Sequence, residues 1–247
     1  IFARPDTEMF RRDIDWEQFS KYLKKRFGDE ESINTYVYAC SDGREPYTLS
    51  MILQNTFDDA QKFFPIFAKD INNEIIEENI RIQDTGSVPL DSFRESSVYS
   101  NALQAFTKPG LSVYDVRDNV KQYINIFHNE DWKETIELTK KAIEPVEFSE
   151  ANILEDVENI NSEHPSVVMM RNMWPYVDSK EYQGFANKLY NQLAPGSIVV
   201  IGSIFDYTGN LFCQNSSKIP VALLNAGFET MKNDNVGTTN PVIFEKN

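Results

Sequence analysis

The sequence predicts an α/β fold, a mostly parallel, doubly wound sheet closed by a C-terminal antiparallel hairpin and interrupted by an inserted subdomain. Three observations predict it. Short apolar, β-branched runs alternate with stretches of helical periodicity in both halves of the chain, the alternation that parallel strands impose because each needs a crossover connection. Two of these runs lead into polar turns, Cys40-Ser41-Asp42-Gly43 and Lys69-Asp70. From about residue 83 to 145 the alternation is lost while Tyr, Phe and Val stay abundant, so that segment reads as an insert folded against the sheet rather than a linker. The 247 residues are read as a single domain carrying this insert.

The elements follow in order. Residues 1–15 lack periodicity and read as an irregular lead-in, whereas 15–27 place Phe19, Tyr22, Leu23 and Phe27 on one helical face with Gly28 at the stop. Residues 33–39 form a strand feeding the glycine turn. Pro46 then occupies the first turn of a helix whose buried stripe is Leu49, Ile52, Leu53 and Phe57. Residues 65–68 are a buried strand ending at Lys69-Asp70, and 72–79 a helix with Ile75 and Ile76 inward. Gly86, Pro89, Pro109 and Gly110 punctuate the insert, and 120–127 are expected to be helical. Alternation resumes with a strand at 166–170, a helix at 179–193 with Phe185, Leu189 and Leu193 inward, and a strand at 197–201. Residues 221–224 and 242–244, on either side of Gly227-Phe228, are expected to pair as the closing hairpin.

Composition narrows the function. The chain has 24 Lys and Arg against 38 Asp and Glu, a net charge of −14, and such a field repels phosphate backbones and anionic headgroups. The densest basic run, Lys21, Lys24, Lys25 and Arg26, lies on the polar side of the first helix and reads as a solvated face. No nucleic-acid partner and no membrane insertion are expected. No apolar stretch approaches the ~20 residues of a membrane-spanning helix and no leader opens the chain, so a cytoplasmic monomer is the expectation. Starting at Ile1 within a polar, Arg-containing stretch, the chain reads as the continuation of a longer protein. Cys40 and Cys213, His128 and His164 have no ligand-like spacing, and no metal is expected.

Open parallel sheets bind ligands at the carboxyl ends of their strands, where the strand order reverses. The turn ending in Gly43 is therefore the first candidate, since glycine allows close backbone approach and the helix that follows offers free N–H groups. Such turns are common without any ligand. Asp70, 27 residues beyond Gly43 at the end of the second strand, strengthens the case, because an acid there accepts hydrogen bonds from ribose hydroxyls in nucleotide-binding folds. There is no G-x-G-x-x-G and hence no dinucleotide cradle; Glu45 beside the loop suits a ligand with a cationic amino-acid end. S-adenosylmethionine fits that description.

Residues 39–51, Ala-Cys-Ser-Asp-Gly-Arg-Glu-Pro-Tyr-Thr-Leu-Ser-Met, resemble the first motif of the chemotaxis-receptor glutamate methyltransferases of the CheR type, roughly A-C-S-T-G-E-E-P-Y-S-L-A-M. Further matches follow in the family's order. Phe2-Ala3-Arg4 is similar to its F-F-R, and 67–72 to its A-T-D-I-D. Residues 146–154 resemble V-x-F-x-x-x-N-L-L, 170–178 resemble C-R-N-V-x-I-Y-F-D, and 193–202 resemble L-x-P-G-G-x-L-x-x-G.

The resemblance implies a Rossmann-like class I methyltransferase that binds S-adenosylmethionine and releases S-adenosylhomocysteine. It places Arg4, Glu45, Asp70, Asn152, Ile153, Arg171 and Asn172 around the cofactor, with Ser41 and Gly43 in its loop. Glu45 is implied to meet the amino group, Asp70 the ribose, and Asn152 and Ile153 the adenine, while Arg4 and Tyr176 stand beside the transferable methyl as candidate catalytic residues. The implied acceptor is a protein glutamate, as in a chemoreceptor cytoplasmic region, and the insert holds the position of the small β-subdomain by which relatives dock receptors. Arg44 stands where the family has an acid, and Trp174-Pro175 where it has an apolar pair. The segment 172–176 is also similar to the N-P-P-Y of amino-group methyltransferases, so a different protein or small-molecule acceptor stays open, and Arg44 with the altered segment after Gly202 leaves open a cofactor-binding sensor without catalysis. The acids Glu150, Glu155, Asp156, Glu158 and Glu163 read as a solvated segment.

Overall fold

The computed structural model describes residues 9–11, 13–86, 95–108, 110–128, 134–202, 218–231 and 243–247. In chain order its main elements are α1 (Trp16–Phe27), β1 (Asn34–Tyr38), α2 (Arg44–Thr56), β2 (Ile66–Asp70), α3 (Asn73–Thr85), α4 (Glu95–Ala105), α5 (Val113–Lys121), β3 (Ile124–His128), β4 (Glu134–Leu138), α6 (Lys140–Ile143), β5 (Val146–Glu150), α7 (Ile153–Asp156), β6 (Ser166–Met169), α8 (Tyr182–Gln192), β7 (Ile198–Val200), α9 (Lys218–Ala226), β8 (Glu229–Thr230) and β9 (Ile243–Glu245). Among the described residues seven strands form the main sheet in the order β5-β2-β1-β6-β7-β9-β8. The pairings among β5, β2, β1, β6 and β7 are parallel, and β9 runs antiparallel to both β7 and β8. The order therefore reverses between β1 and β6, which opens a crevice at their carboxyl ends.

Period-two alternation explains why the inner strands read as continuous apolar runs. Val37, Val167, Met169, Ile198 and Val200 face one core, shared with α1 and α2; Tyr36, Tyr38, Val168, Met170, Val199 and Ile201 face another, shared with α8 and α9. Both faces are covered by helices. Asp15 caps α1 by accepting from Gln18 N at 3.1 Å, and Phe19, Leu23 and Phe27 recur every fourth residue on its buried face. Asn72 caps α3 in the same way through Glu74 N at 3.0 Å. In the described part of the lead-in Met9, Phe10 and Ile14 are buried, Phe10 meets Trp16 and Phe106 edge to face, and Phe10 N donates to Thr48 Oγ1 at 3.1 Å.

Between α3 and β5 the chain forms α4, α5, the separate antiparallel hairpin β3-β4, and α6. Its buried Val98, Ala102, Phe106, Val116, Tyr123 and Ile143 join the same core cluster as α1 and α2.

Two expectations are corrected. Residues 120–127 are not a helix: α5 ends at Lys121, and Ile124 onward is β3, paired with β4 from Leu138. Nor is 221–224 a strand, because Ile219, Ala222 and Leu223 form the buried stripe of α9, and the hairpin instead joins Glu229–Thr230 to β9. Both errors have one cause. Val120, Tyr123, Ile124 and Phe127 recur at helical spacing while Ile124 and Ile126 also alternate, the short run 221–224 fits either period, and in each case the partner that decides lies elsewhere in the chain.

Candidate active site

The carboxyl end of β1 is built from unusual backbone. Ala39, Ser41 and Gly43 all have left-handed φ, at 53°, 49° and 82°. Gly43 is required there: a Cβ would stand 2.9 Å from the Tyr47 ring and 3.0 Å from that of Phe148, which themselves pack edge to face. The turn is anchored to β2 and α3, since Cys40 N donates to Lys69 O at 3.1 Å and Asn79 Nδ2 to Ser41 O at 2.6 Å.

Asp70 holds the turn from below. Its Oδ2 accepts from Ser41 N at 2.9 Å and its Oδ1 from Asn72 N at 3.0 Å, fixing the carboxylate while each oxygen keeps a further acceptor position. The end of β5 lies alongside, with Asp70 in register with Glu150 and Ala151 N donating to Asp70 O at 2.8 Å. Asn152 then caps α7 through Leu154 N at 3.1 Å, and Ile153 is buried in the second core.

Glu45 lies in the first turn of α2 and Arg171 follows β6. They meet at 3.2 Å, Arg171 Nη1 to Glu45 Oε2. The Arg171 side chain is 1% exposed, packs over the Trp16 indole at 5.6 Å and also binds the Asp13 carboxylate. Burial raises the Glu45 carboxyl above its ordinary range, against the pull of the Arg171 cation. Among the described residues, Glu45 Oε1 has no hydrogen-bond partner. Arg44, the residue that reverses the family's charge, folds onto Asp42 at 2.8 Å.

Ser41, Gly43, Glu45, Asp70, Asn152, Ile153, Arg171 and Asn172 thus all lie at or just beyond the carboxyl ends of β1, β2, β5 and β6, with Asn172 in left-handed conformation (φ 57°). Tyr176 follows in the turn Trp174–Tyr176, but its side chain is 80% exposed, whereas neighbouring Trp174 is buried with Nε1 donating to Met170 O at 2.9 Å. Arg4 lies outside the described residues.

Two acids were missed by sequence reasoning. Asp13 belongs to no motif; a buried arginine needs a counter-charge, but nothing in the sequence says which acid supplies it. Asp156, expected in a solvated segment, instead binds Lys69 Nζ at 2.6 Å and accepts from Tyr38 Oη at 2.7 Å, which ties α7 to β1 and β2. Burial opposes its charge, but bonds from Lys69, Tyr38 and Asn159 outweigh this and hold the carboxyl below the usual range. Its contribution to stability is therefore present above the unfolded value of about 3.9 and lost as pH falls through the lowered one. Asp156→Ala should destabilise the fold by about 1–3 kcal/mol, because Lys69 is left partly buried without its partner. The urea midpoint at neutral pH measures this, and an unchanged midpoint would show that the tie contributes nothing.

A family model described as CheR methyltransferase, SAM binding domain, matches residues 5–128, half of the chain. The chain belongs to the CheR methyltransferase family. Within that match lie the first two internal motifs, with Glu45 and Asp70, and most of the insert, where no motif was found; the motifs carrying Asn152 and Arg171 lie beyond it. This CheR chain also resembles solved structures. One is a TehB-like SAM-dependent methyltransferase from Corynebacterium glutamicum, with 10% identity over 95% of this chain and 89% of that one and a TM-score of 0.46. Another is the rRNA methyltransferase aviRa from Streptomyces viridochromogenes, with 12% identity over 81% and 76% of the two chains and a TM-score of 0.45. Human N-acetylserotonin methyltransferase shares 10% identity over 94% of this chain and 52% of that one, with a TM-score of 0.44. No curated protein sequence matches significantly. Family and sheet topology together are those of a Rossmann-like S-adenosylmethionine-dependent methyltransferase.

Proposed function

We propose that this protein forms methyl esters on protein glutamate side chains, using S-adenosylmethionine, with a chemoreceptor-type cytoplasmic region as acceptor. The observation that most supports the reading is a CheR chain in which Glu45, half-satisfied by Arg171, stands beside a turn held by Asp70. These residues fit the cofactor. Glu45 Oε1 is an unfilled acceptor suited to an ammonium group, and the free acceptor positions of Asp70 suit ribose hydroxyls. Asn152 and Ile153 would flank the adenine, and Ser41, Gly43, Arg171 and Asn172 complete the cradle.

When bound, S-adenosylmethionine supplies an electrophilic methyl on a sulfonium. A glutamate acceptor is ionised near neutral pH and needs no general base from the chain. The protein's task reduces to holding and aligning the acceptor and excluding water. Arg4 could grip the carboxylate with two parallel hydrogen bonds, and Tyr176 could present oxygen or ring to the cationic centre as the methyl transfers. Tyr176→Ala is expected to leave the melting temperature and cofactor affinity unchanged, because the side chain is 80% exposed, and to lower turnover about tenfold or more. Equal turnover in variant and parent would remove Tyr176 from the site.

One observation favours a different acceptor. The net charge of −14 opposes an acidic partner at long range, and Arg44 is already engaged by Asp42. Incubation with methyl-labelled cofactor and receptor cytoplasmic domains separates the readings. Base-labile label supports the ester, and base-stable label supports an amine acceptor. Cofactor binding in calorimetry with no transfer to any protein supports a sensor.

A further inference from the structure

Building on the cofactor reading above, we infer that Asp13 is a positioning residue for the amino-acid end of S-adenosylmethionine, acting through Arg171 on Glu45. Arg171 spans two acids. One nitrogen meets Glu45 Oε2 at 3.2 Å, and another is bound by the carboxylate of Asp13, a residue of the lead-in segment that neither motif nor spacing marks. All three side chains are largely buried, and the orientation of the guanidinium decides where the Glu45 carboxylate can lie. Asp13 fixes that orientation through Nη2 while Glu45 meets Nη1, and Arg11 stands 3.9 Å from the same carboxylate.

Gly202 carries the argument independently. It lies two residues beyond β7 at φ 70°, and a Cβ there would stand 2.8 Å from Asp13 Oδ2 and 3.0 Å from Arg171 Cγ. Both the carboxylate and the stem of the arginine fit only because that residue has no side chain. The described residues on either side of Asp13 are also tied down: Phe10 N donates to Thr48 Oγ1 at 3.1 Å on α2, the helix bearing Glu45, and Trp16 Nε1 donates to Arg11 O at 3.1 Å beneath the guanidinium. Charge on Asp13 is thereby linked mechanically to the acid that would meet an ammonium group.

The test compares two ligands on the full chain. S-adenosylhomocysteine carries the amino-acid end; 5′-methylthioadenosine keeps the adenine, ribose and thioether but lacks it. Asp13→Asn, which keeps the shape and removes the charge, should weaken S-adenosylhomocysteine about 10- to 100-fold and leave 5′-methylthioadenosine within about twofold. Gly202→Ala, which crowds the same carboxylate, should give the same selective loss and decides the matter should Asp13→Asn not fold. Equal weakening of both ligands would make Asp13 a residue of the fold alone, and no weakening of either would deny it any role; both outcomes overturn the inference. Failure of the unaltered protein to bind either ligand would instead overturn the cofactor reading and the inference with it.

Discussion

Asp70→Ala should abolish measurable cofactor binding and cost stability at the same time, an effect of at least about 100-fold in affinity and about 2–4 kcal/mol in unfolding free energy. The reason lies in what the carboxylate holds. Its two oxygens take Ser41 N–H and Asn72 N–H, the first on the turn after β1 and the second on the turn after β2. Hydrogen bonds to an ionised acceptor contribute about 1.5–3 kcal/mol each, more than neutral ones. They also oppose strain, since Ala39 and Ser41 are held in the left-handed region that costs non-glycine residues about 1–2 kcal/mol each. Alanine removes the anchor and leaves two N–H groups unsatisfied while the strain remains. Asn is the sharper probe, because its amide offers one acceptor where the turn needs two, so Asp70→Asn should fall between parent and alanine in both urea midpoint and affinity. Were the alanine variant to keep its midpoint and lose only affinity, Asp70 would serve the ligand but not the loop.

The parts of the fold that were legible were those whose local pattern had no competitor. β1, β6 and β7 are short runs rich in β-branched or aromatic residues and buried on both faces, and Pro46 with its stripe could begin only a helix. The misread segments, 120–127 and 221–224, place apolar residues at spacings that suit more than one period, and each was decided by a distant partner: β4 for the first, the α8 face for the second.

The candidate site divides along the same line. Gly43, Glu45 and Asp70 could be read because strand-end position and residue type together carry the chemistry. Asp13 and Asp156 could not, because an acid's partner is a fact of the tertiary structure. Lys69 pairs with a residue 87 positions away, and Arg171 with one 158 away. The net charge of −14 belongs to this lesson too. Summed over the chain it suggests a repelling surface, yet at the carboxyl edge the acids Asp13, Glu45 and Asp42 are each set against an arginine.

Glu45 supplies a second large effect, and its sign can be worked out. Burial raises its pKa in the folded state and Asp13 adds to this, while Arg171 and Arg11 oppose it. A carboxyl whose folded pKa lies above the unfolded value, about 4.3 for glutamate, contributes stability that is fully present below the unfolded pKa and lost as pH rises through the folded one. The ligand-free protein therefore carries a penalty at neutral pH for keeping Glu45 ionised. Glu45→Gln should relieve it, leaving the unfolding midpoint at neutral pH equal to or above that of the parent. Binding has the opposite requirement, because an ammonium group needs the ionised acceptor. Affinity of the parent for S-adenosylhomocysteine should thus fall as pH is lowered through the raised pKa, above the range where an ordinary glutamate titrates. Glu45→Gln should be weaker by about 10- to 100-fold at neutral pH and indifferent to pH. Calorimetry in buffers of different ionisation enthalpy should also show a proton released on binding to the parent near that pKa, and none from the variant. A parent affinity that stays flat as pH is lowered from neutral toward the ordinary glutamate range, matched by a variant of equal strength, would mean that Glu45 pairs with Arg171 for the sake of the fold and never meets the cofactor.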